Sequence, residues 1–185
     1  MISQKTNSAN GSGKPRAVLL VGFMGAGKTS VGRQLSKHLN SDFVDLDDVI
    51  VLRANKSIQQ IFAEESEAGF RRRETAALRH VLAQAGAAKP MVIALGGGAF
   101  VQPDNYQAIR DSGIPSVFLD ADLDTLLQRC RSEARVRPLA KDENQFRQLH
   151  EARRSSYMKA DHCVQTAGKS VPDLVIEIAS RLGFE

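Results

Sequence analysis

Cysteine, aromatic side chains and long apolar runs are all scarce in this chain of 185 residues. Its two cysteines, Cys130 and Cys163, fit a reducing cytosol and make no metal-binding pattern. Aromatics are only 5% of the chain, too few for a base-stacking platform, so nucleic acid is not an expected partner. The net charge of +4 and pI near 9.3 suit small anionic substrates instead. No apolar stretch approaches the ~18 residues of a membrane span, so no membrane partner is expected either. Residues 1–15 are polar and rich in Ser, Asn and Gly, with no apolar segment of the signal-peptide kind. They predict a disordered tail ahead of one folded domain over 16–185, a cytoplasmic monomer.

What is present is an ordinary globular composition, 42% hydrophobic and 25% charged, arranged as short apolar runs alternating with helical patterns. Strands are predicted at 17–22, 42–45, 91–95, 115–119 and 162–165. Helices are predicted at 28–39, 47–54, 58–64, 69–85, 103–111, 122–131, 144–159 and 171–182. This alternation argues for an α/β fold with a parallel sheet covered on both faces, whose ligands sit at the carboxyl ends of the strands. Residues 132–143 break the pattern. Ser132, Glu133, Arg135, Arg137, Pro138, Lys141 and Asp142 crowd together there with no apolar face. They predict a mobile loop of the kind that closes over phosphate sites.

Three clusters carry chemistry. The first, Gly22-Phe23-Met24-Gly25-Ala26-Gly27-Lys28-Thr29, stands between an apolar run and a helical segment that begins with Ser30. The pattern G-x-x-x-x-G-K-[ST] in that setting is a phosphate cradle. Backbone N–H groups line an anion-sized concavity, and the helix aims its positive end at it. Lys28 would reach the β- and γ-phosphates, and the Thr29 hydroxyl would ligate Mg²⁺, which implies a nucleoside triphosphate. The second cluster, Asp45, Asp47 and Asp48, ends the second strand. On an extended chain Asp45 and Asp47 project to one side. Asp45 then suits the water shell of Mg²⁺, and Asp47 suits orienting or deprotonating a hydroxyl. Capping the next helix is an alternative task for Asp47 or Asp48. The third, Gly96-Gly97-Gly98 after the third strand, exposes bare amides to a ligand. Among the arginines, Arg71 has Glu74 three residues on to hold its fork. With Arg137 and Arg153 it suits carboxylate or phosphate recognition.

Together these motifs resemble the shikimate kinase family over nearly the whole chain, from about Arg16 to Leu182. The likeness rests on the Gly22 to Lys28 loop continuing into Val31-Gly32-Arg33 and on the Asp45-x-Asp47 pair. It rests also on Ser57-Ile58-x-x-Ile61-Phe62, Phe70-Arg71-x-x-Glu74, Gly96-Gly97-Gly98 and Arg137-Pro138-Leu139. The resemblance implies a three-layer α/β/α P-loop kinase fold with a five-stranded parallel sheet and a mobile lid at about 132–143. It implies transfer of the ATP γ-phosphate to the 3-hydroxyl of shikimate, toward chorismate and the aromatic amino acids, with Mg²⁺. ATP would be held by Gly25, Ala26, Gly27, Lys28, Thr29, Ser30, Arg137 and Lys169, with Arg129 a further nucleotide-side residue. Shikimate would be held by Asp47, Arg71, Gly96, Gly97, Gly98 and Arg153; Thr29 and Asp45 would serve the metal. Lys28, Asp47 and Arg137 would be the catalytic set.

The chain departs from the family pattern in places. Arg153-Arg154-Ser155-Ser156-Tyr157 lacks the proline of the family's Arg-x-Pro-x-Tyr, leaving open whether Arg153 or Arg154 faces the substrate. Ser66-Glu67 replaces a Gly-Glu pair, Ala140 a lid leucine, and Asn55 a glycine; asparagine tolerates the left-handed backbone such a glycine would adopt. Gluconate and nucleotide kinases share the cradle and remain alternatives. A guanine-nucleotide switch does not fit, because Asn55-Lys56-Ser57-Ile58 lacks the Asp of the guanine reader and no D-x-x-G occurs.

Overall fold

The computed structural model describes residues 15–85, 89–132 and 142–184. The predicted tail, apart from Pro15, lies outside the described residues, as does the predicted loop over 132–143 apart from Ser132, Asp142 and Glu143. Strands β1 (Ala17–Val21), β2 (Asp42–Asp45), β3 (Met91–Ala94), β4 (Ser116–Asp120) and β5 (His162–Gln165) form one five-stranded sheet. Its order is β2-β3-β1-β4-β5 and every pairing is parallel. The helices are α1 (Lys28–His38), α2 (Leu46–Ala54), α3 (Ile58–Gln84), α4 (Pro103–Ser112), α5 (Leu123–Ser132), α6 (Glu143–Tyr157) and α7 (Val171–Arg181). A 3₁₀ turn spans Ala99–Val101. All five residues of β1 and of β4 are buried, as strands between two helical layers must be. Leu19, Leu20, Leu35, Ile93 and Leu119 have no exposed surface, and each such side chain contributes about 1.5–3 kcal/mol of hydrophobic stabilisation.

Strand register sets where chemistry can occur. Leu20 of β1 and Asp45 of β2 both pair with Ala94 of β3, so these three strands end level. The turns that follow them therefore share one edge, the carboxyl edge expected to hold ligands. β4 begins at Ser116, because Pro115 has no N–H for the ladder; its carbonyl still accepts from Leu19 at 2.9 Å.

The predicted break between helices at 58–64 and 69–85 is a bend within α3. Ser66 there has φ 62° and ψ −179°, a conformation that is essentially glycine's alone. Packing on both sides holds it. Phe62 stacks on Phe70 at 4.6 Å across the bend, and Arg73 places Nε at 2.8 Å and Nη2 at 2.7 Å on the Glu65 carboxylate. Gly69 is needed for the close approach, since a β-carbon there would fall 2.4 Å from that of Glu65. At the start of α3, Ser57 and Gln60 form a reciprocal capping box. Asn55 ends α2 in the left-handed region at φ 50°, as its substitution for glycine allows.

Ser66→Gly should therefore stabilise the chain. Relief of about 1–3 kcal/mol of backbone strain is partly offset by the extra freedom glycine has when unfolded. The expected net gain is about 1 kcal/mol, a rise in Tm of about 3 °C by calorimetry. A fall in Tm would mean that the bend is not strained.

Candidate active site

The turn after β1 is the phosphate cradle. Gly22, Gly25 and Gly27 have φ of 149°, 80° and 89°, values that side chains with a β-carbon rarely adopt. Space is also short: a β-carbon on Gly25 would press to 3.0 Å on both the Cys130 thiol and the Leu126 carbonyl of α5. Gly27 is the N-cap of α1 and supplies no side-chain cap, so the first-turn N–H groups face the cradle. The Lys28 ammonium donates to the Gly22 and Phe23 carbonyls at 2.8 and 2.9 Å, which holds it across the turn. Ala26 is buried, and its N–H donates to the Phe23 carbonyl at 3.2 Å.

The acidic pair sits beside the cradle. Thr29 donates its hydroxyl to Asp45 Oδ2 at 2.9 Å. Asp45 Oδ1 accepts the Asp47 N–H at 3.1 Å, making Asp45 the N-cap of α2. The capping task expected of Asp47 or Asp48 thus belongs to Asp45. Asp47 lies in the first turn of α2 and not on an extended chain, because β2 ends at Asp45, two residues short of it. Both carboxylates nonetheless line one pocket with Gly25, Gly27, Lys28, Thr29, Ser30 and the Gly96-Gly97 backbone.

The glycine turn is crowded by charged side chains. A β-carbon on Gly96 would fall 2.7 Å from Asp47 Oδ1, and one on Gly98 would fall 2.3 Å from Arg71 Nη1. Gly97 looks toward Arg153, 3.6 Å from where its β-carbon would stand, and toward the Met24 amide at 3.8 Å. Among the described residues no acceptor takes the Gly96, Gly97 or Gly98 amides, in keeping with the expected bare backbone. Arg71 bonds Glu74 at 2.8 Å and Glu67 at 3.1 Å. Glu74 is 1% exposed, and burial pushes its carboxyl above the usual range against the opposing pull of Arg71. Burial also works against the charge on Arg71, but the Glu74 and Glu67 carboxylates outweigh it and raise the arginine further.

Helix α6 divides its adjacent arginines. Arg153 lies over the Phe23 ring at 5.9 Å, beside the glycine turn. Arg154 turns away to Asp120 at the end of β4, donating at 2.6 Å to an oxygen that also accepts from Gln165 at 2.8 Å. Arg153 is thus the arginine at the pocket. Arg129 reaches the Gly25 carbonyl at 3.3 Å. Lys169 lies beyond the pocket lining, in the turn between β5 and α7, and pairs with Glu177 at 2.5 Å. Arg137 falls outside the described residues.

Three residues of the site escaped the sequence reading as separate actors. Glu74 was expected only as a partner for Arg71, yet it is the buried charge of the cluster. Tyr157 donates its hydroxyl to the Gly97 carbonyl. Asn105, fully buried, donates to the Ala99 carbonyl at 3.1 Å and anchors the 3₁₀ turn that continues the glycines. Tyr157 stood in the sequence only as the end of the Arg-x-Pro-x-Tyr segment, with nothing to point to backbone 60 residues away, and Asn105 acts on a carbonyl six residues before it.

The chain is similar to known proteins over most of its length. The sequence model of a family described as shikimate kinase matches residues 24–182. A shikimate kinase of Geobacter sulfurreducens is 43% identical over 168 residues, 89% of this chain and 90% of that protein. The structure of shikimate kinase from Acinetobacter baumannii in complex with shikimate superposes with a TM-score of 0.81 at 34% identity, covering 91% of this chain and 92% of that one. A gluconokinase from Sinorhizobium meliloti superposes at 0.62 with 16% identity over 92% of this chain and 93% of its own, a likeness of fold alone. With the family model matched over residues 24–182 and a relative 43% identical across most of both chains, the chain belongs to the shikimate kinase family.

Proposed function

We propose that this chain transfers the γ-phosphate of ATP to the 3-hydroxyl of shikimate, giving ADP and shikimate 3-phosphate on the way to chorismate. The observation that carries this reading is the Gly96-Gly97-Gly98 turn. One side of it lines the phosphate pocket and the other meets Arg71 and Arg153. An acid whose carboxylate lies on the two guanidinium groups would reach back over bare amides toward Asp47 and the cradle. Arginine forks match a planar carboxylate, and the buried Glu74 keeps one of them aimed.

The reaction asks for alignment and charge neutralisation more than covalent chemistry. Lys28 and the first-turn amides of α1 hold phosphate oxygens. Asp47 orients the attacking hydroxyl and takes its proton. The oxygen donors of Thr29 and Asp45, adjacent and already hydrogen-bonded, suit Mg²⁺, which keeps several waters and needs few protein ligands. When bound there, the ion supplies positive charge shared between phosphate oxygens. Arg129, which reaches the Gly25 carbonyl of the cradle, and Lys169 are assigned to the nucleotide on the family resemblance. Arg137, outside the described residues, is assigned to the phosphates on the family resemblance.

Neither cysteine forms a disulfide, and no helix among the described residues is long and apolar enough to cross a membrane; both fit a cytoplasmic enzyme.

A coupled ADP-release assay with ATP, Mg²⁺ and a panel of shikimate, quinate, gluconate, AMP and water tests the reading. Shikimate should exceed the other acceptors in kcat/KM by roughly a hundred-fold or more. Faster turnover with gluconate or AMP would overturn it. Asp47→Asn should lower kcat by about 10²-fold or more with shikimate KM little changed; an unaltered kcat would remove Asp47 from proton transfer. Arg71→Lys keeps a cation for Glu74 but loses the fork, so shikimate KM should rise about ten-fold at similar kcat. An unchanged KM would reject Arg71 as the carboxylate clamp.

A further inference from the structure

The last residue of α6 has an arrangement that the roles above leave unexplained. Tyr157 is 1% exposed, with its ring stacked on Phe118 at 5.3 Å. Its hydroxyl alone leaves the apolar packing, and it donates to the carbonyl of Gly97. That carbonyl belongs to the middle residue of a turn with no side chains of its own. Glycine has the widest conformational freedom of any residue, so the shape of three in succession rests on their hydrogen bonds: the Ala99 and Val101 N–H groups donate to the Gly96 and Gly98 carbonyls at 3.1 and 3.2 Å, and neither reaches the Gly97 carbonyl between them. Asn105 pins the far end of the turn at the Ala99 carbonyl; Tyr157 pins its centre.

The same hydroxyl has Arg153 alongside. Arg153 precedes Tyr157 by four residues, so both project from one face of α6. Its Nη1 lies 3.6 Å, and the Tyr157 oxygen 3.9 Å, from the point where a β-carbon of Gly97 would stand. The tyrosine, the arginine and the glycine peptide thus meet around one point. Because the peptide bond is trans, turning the Gly97 carbonyl toward Tyr157 turns the Gly98 N–H the opposite way, away from α6.

We propose that Tyr157 is a positioning residue for the acid substrate. Its hydroxyl ties the centre of the glycine turn to α6 at the level of Arg153, and so fixes the Gly98 amide and the Arg153 guanidinium relative to one another. This role rests on the reading that a carboxylate is bound between Arg71, Arg153 and the glycine turn. Burial pushes the Tyr157 hydroxyl up to about 12, against the pull of Arg153, so it keeps its proton for Gly97 across the working range of pH. The α6 helix also carries Phe146 and His150, whose rings pack edge-on to Phe23 of the cradle at 5.1 and 5.3 Å. One helix thus registers both turns of the site.

Tyr157→Phe retains the ring and its stacking and removes only the hydroxyl. The half-buried Gly97 carbonyl loses its donor, and the turn loses its central tie. Steady-state kinetics of this variant beside the wild type should show shikimate KM raised about ten-fold, with ATP KM and kcat within about three-fold. A merely structural role would lower Tm and leave the two KM values in their wild-type ratio. Should the variant fail to fold, a Tyr106→Phe chain labelled with 3-fluorotyrosine reports on Tyr157 alone, because the chain has two tyrosines. Its ¹⁹F resonance should shift on adding shikimate and stay in place on adding ATP. Active wild type with shikimate KM in Tyr157→Phe changed less than about two-fold, or a ¹⁹F signal indifferent to shikimate, would overturn the positioning role alone. A wild type idle with shikimate would overturn the substrate reading, and this role with it.

Discussion

Two charged side chains occupy the space where the β-carbons of Gly96 and Gly98 would stand, and the whole site depends on that exclusion. Asp47 and Arg71 come from different helices, α2 and α3, yet both reach the end of β3 because nothing there obstructs them. Any side chain at Gly98 would strike the Arg71 guanidinium, and any at Gly96 the Asp47 carboxylate. The level ends of β1, β2 and β3 bring the cradle, the acidic pair and this turn to one edge. The glycines then let polar groups from four directions meet around bare backbone.

Such a meeting point carries an electrostatic demand that Glu74 answers. A second guanidinium, Arg153, stands near Arg71 across the turn, and two like charges held together favour a buried anion between the elements that carry them. Glu74 supplies it at almost no exposure, held by Arg71 at 2.8 Å while burial acts against its charge. The balance is local. Asp120, buried at the end of β4, makes a second such pair with Arg154, which draws that arginine away from the pocket.

The strain at Ser66 belongs to the same economy of shape. The bend in α3 sets the direction of its longer arm, which carries Phe70, Arg71 and Glu74 to the glycine turn. A stacked aromatic pair and the two-pronged contact of Arg73 with Glu65 keep the bend despite a residue that resists it. The break was legible as the gap between the helices predicted at 58–64 and 69–85. That the two arms join through one residue in a glycine-like conformation was not, because nothing in the identity of serine announces it.

The amino-acid sequence by itself determined the strand–helix alternation, the cradle and the residues able to hold phosphate, metal and carboxylate. These rest on local spacing: period-two and helical apolar patterns, glycines at fixed offsets, a lysine and a threonine beside them. It misjudged Asp45 and Asp47 as sharing one side of an extended chain, since where a strand yields to a helix depends on which carboxylate caps the first turn, and Asp45 does so here. Only the tertiary structure decided between Arg153 and Arg154, neighbours whose side chains leave α6 about 100° apart, so that helix placement against Phe23 and Asp120 assigns one to the pocket and the other to β4. It alone joined Tyr157 to Gly97 and Asn105 to Ala99. Such hydrogen bonds leave no trace in apolar periodicity; they exist because packing brings a side-chain donor to a backbone carbonyl.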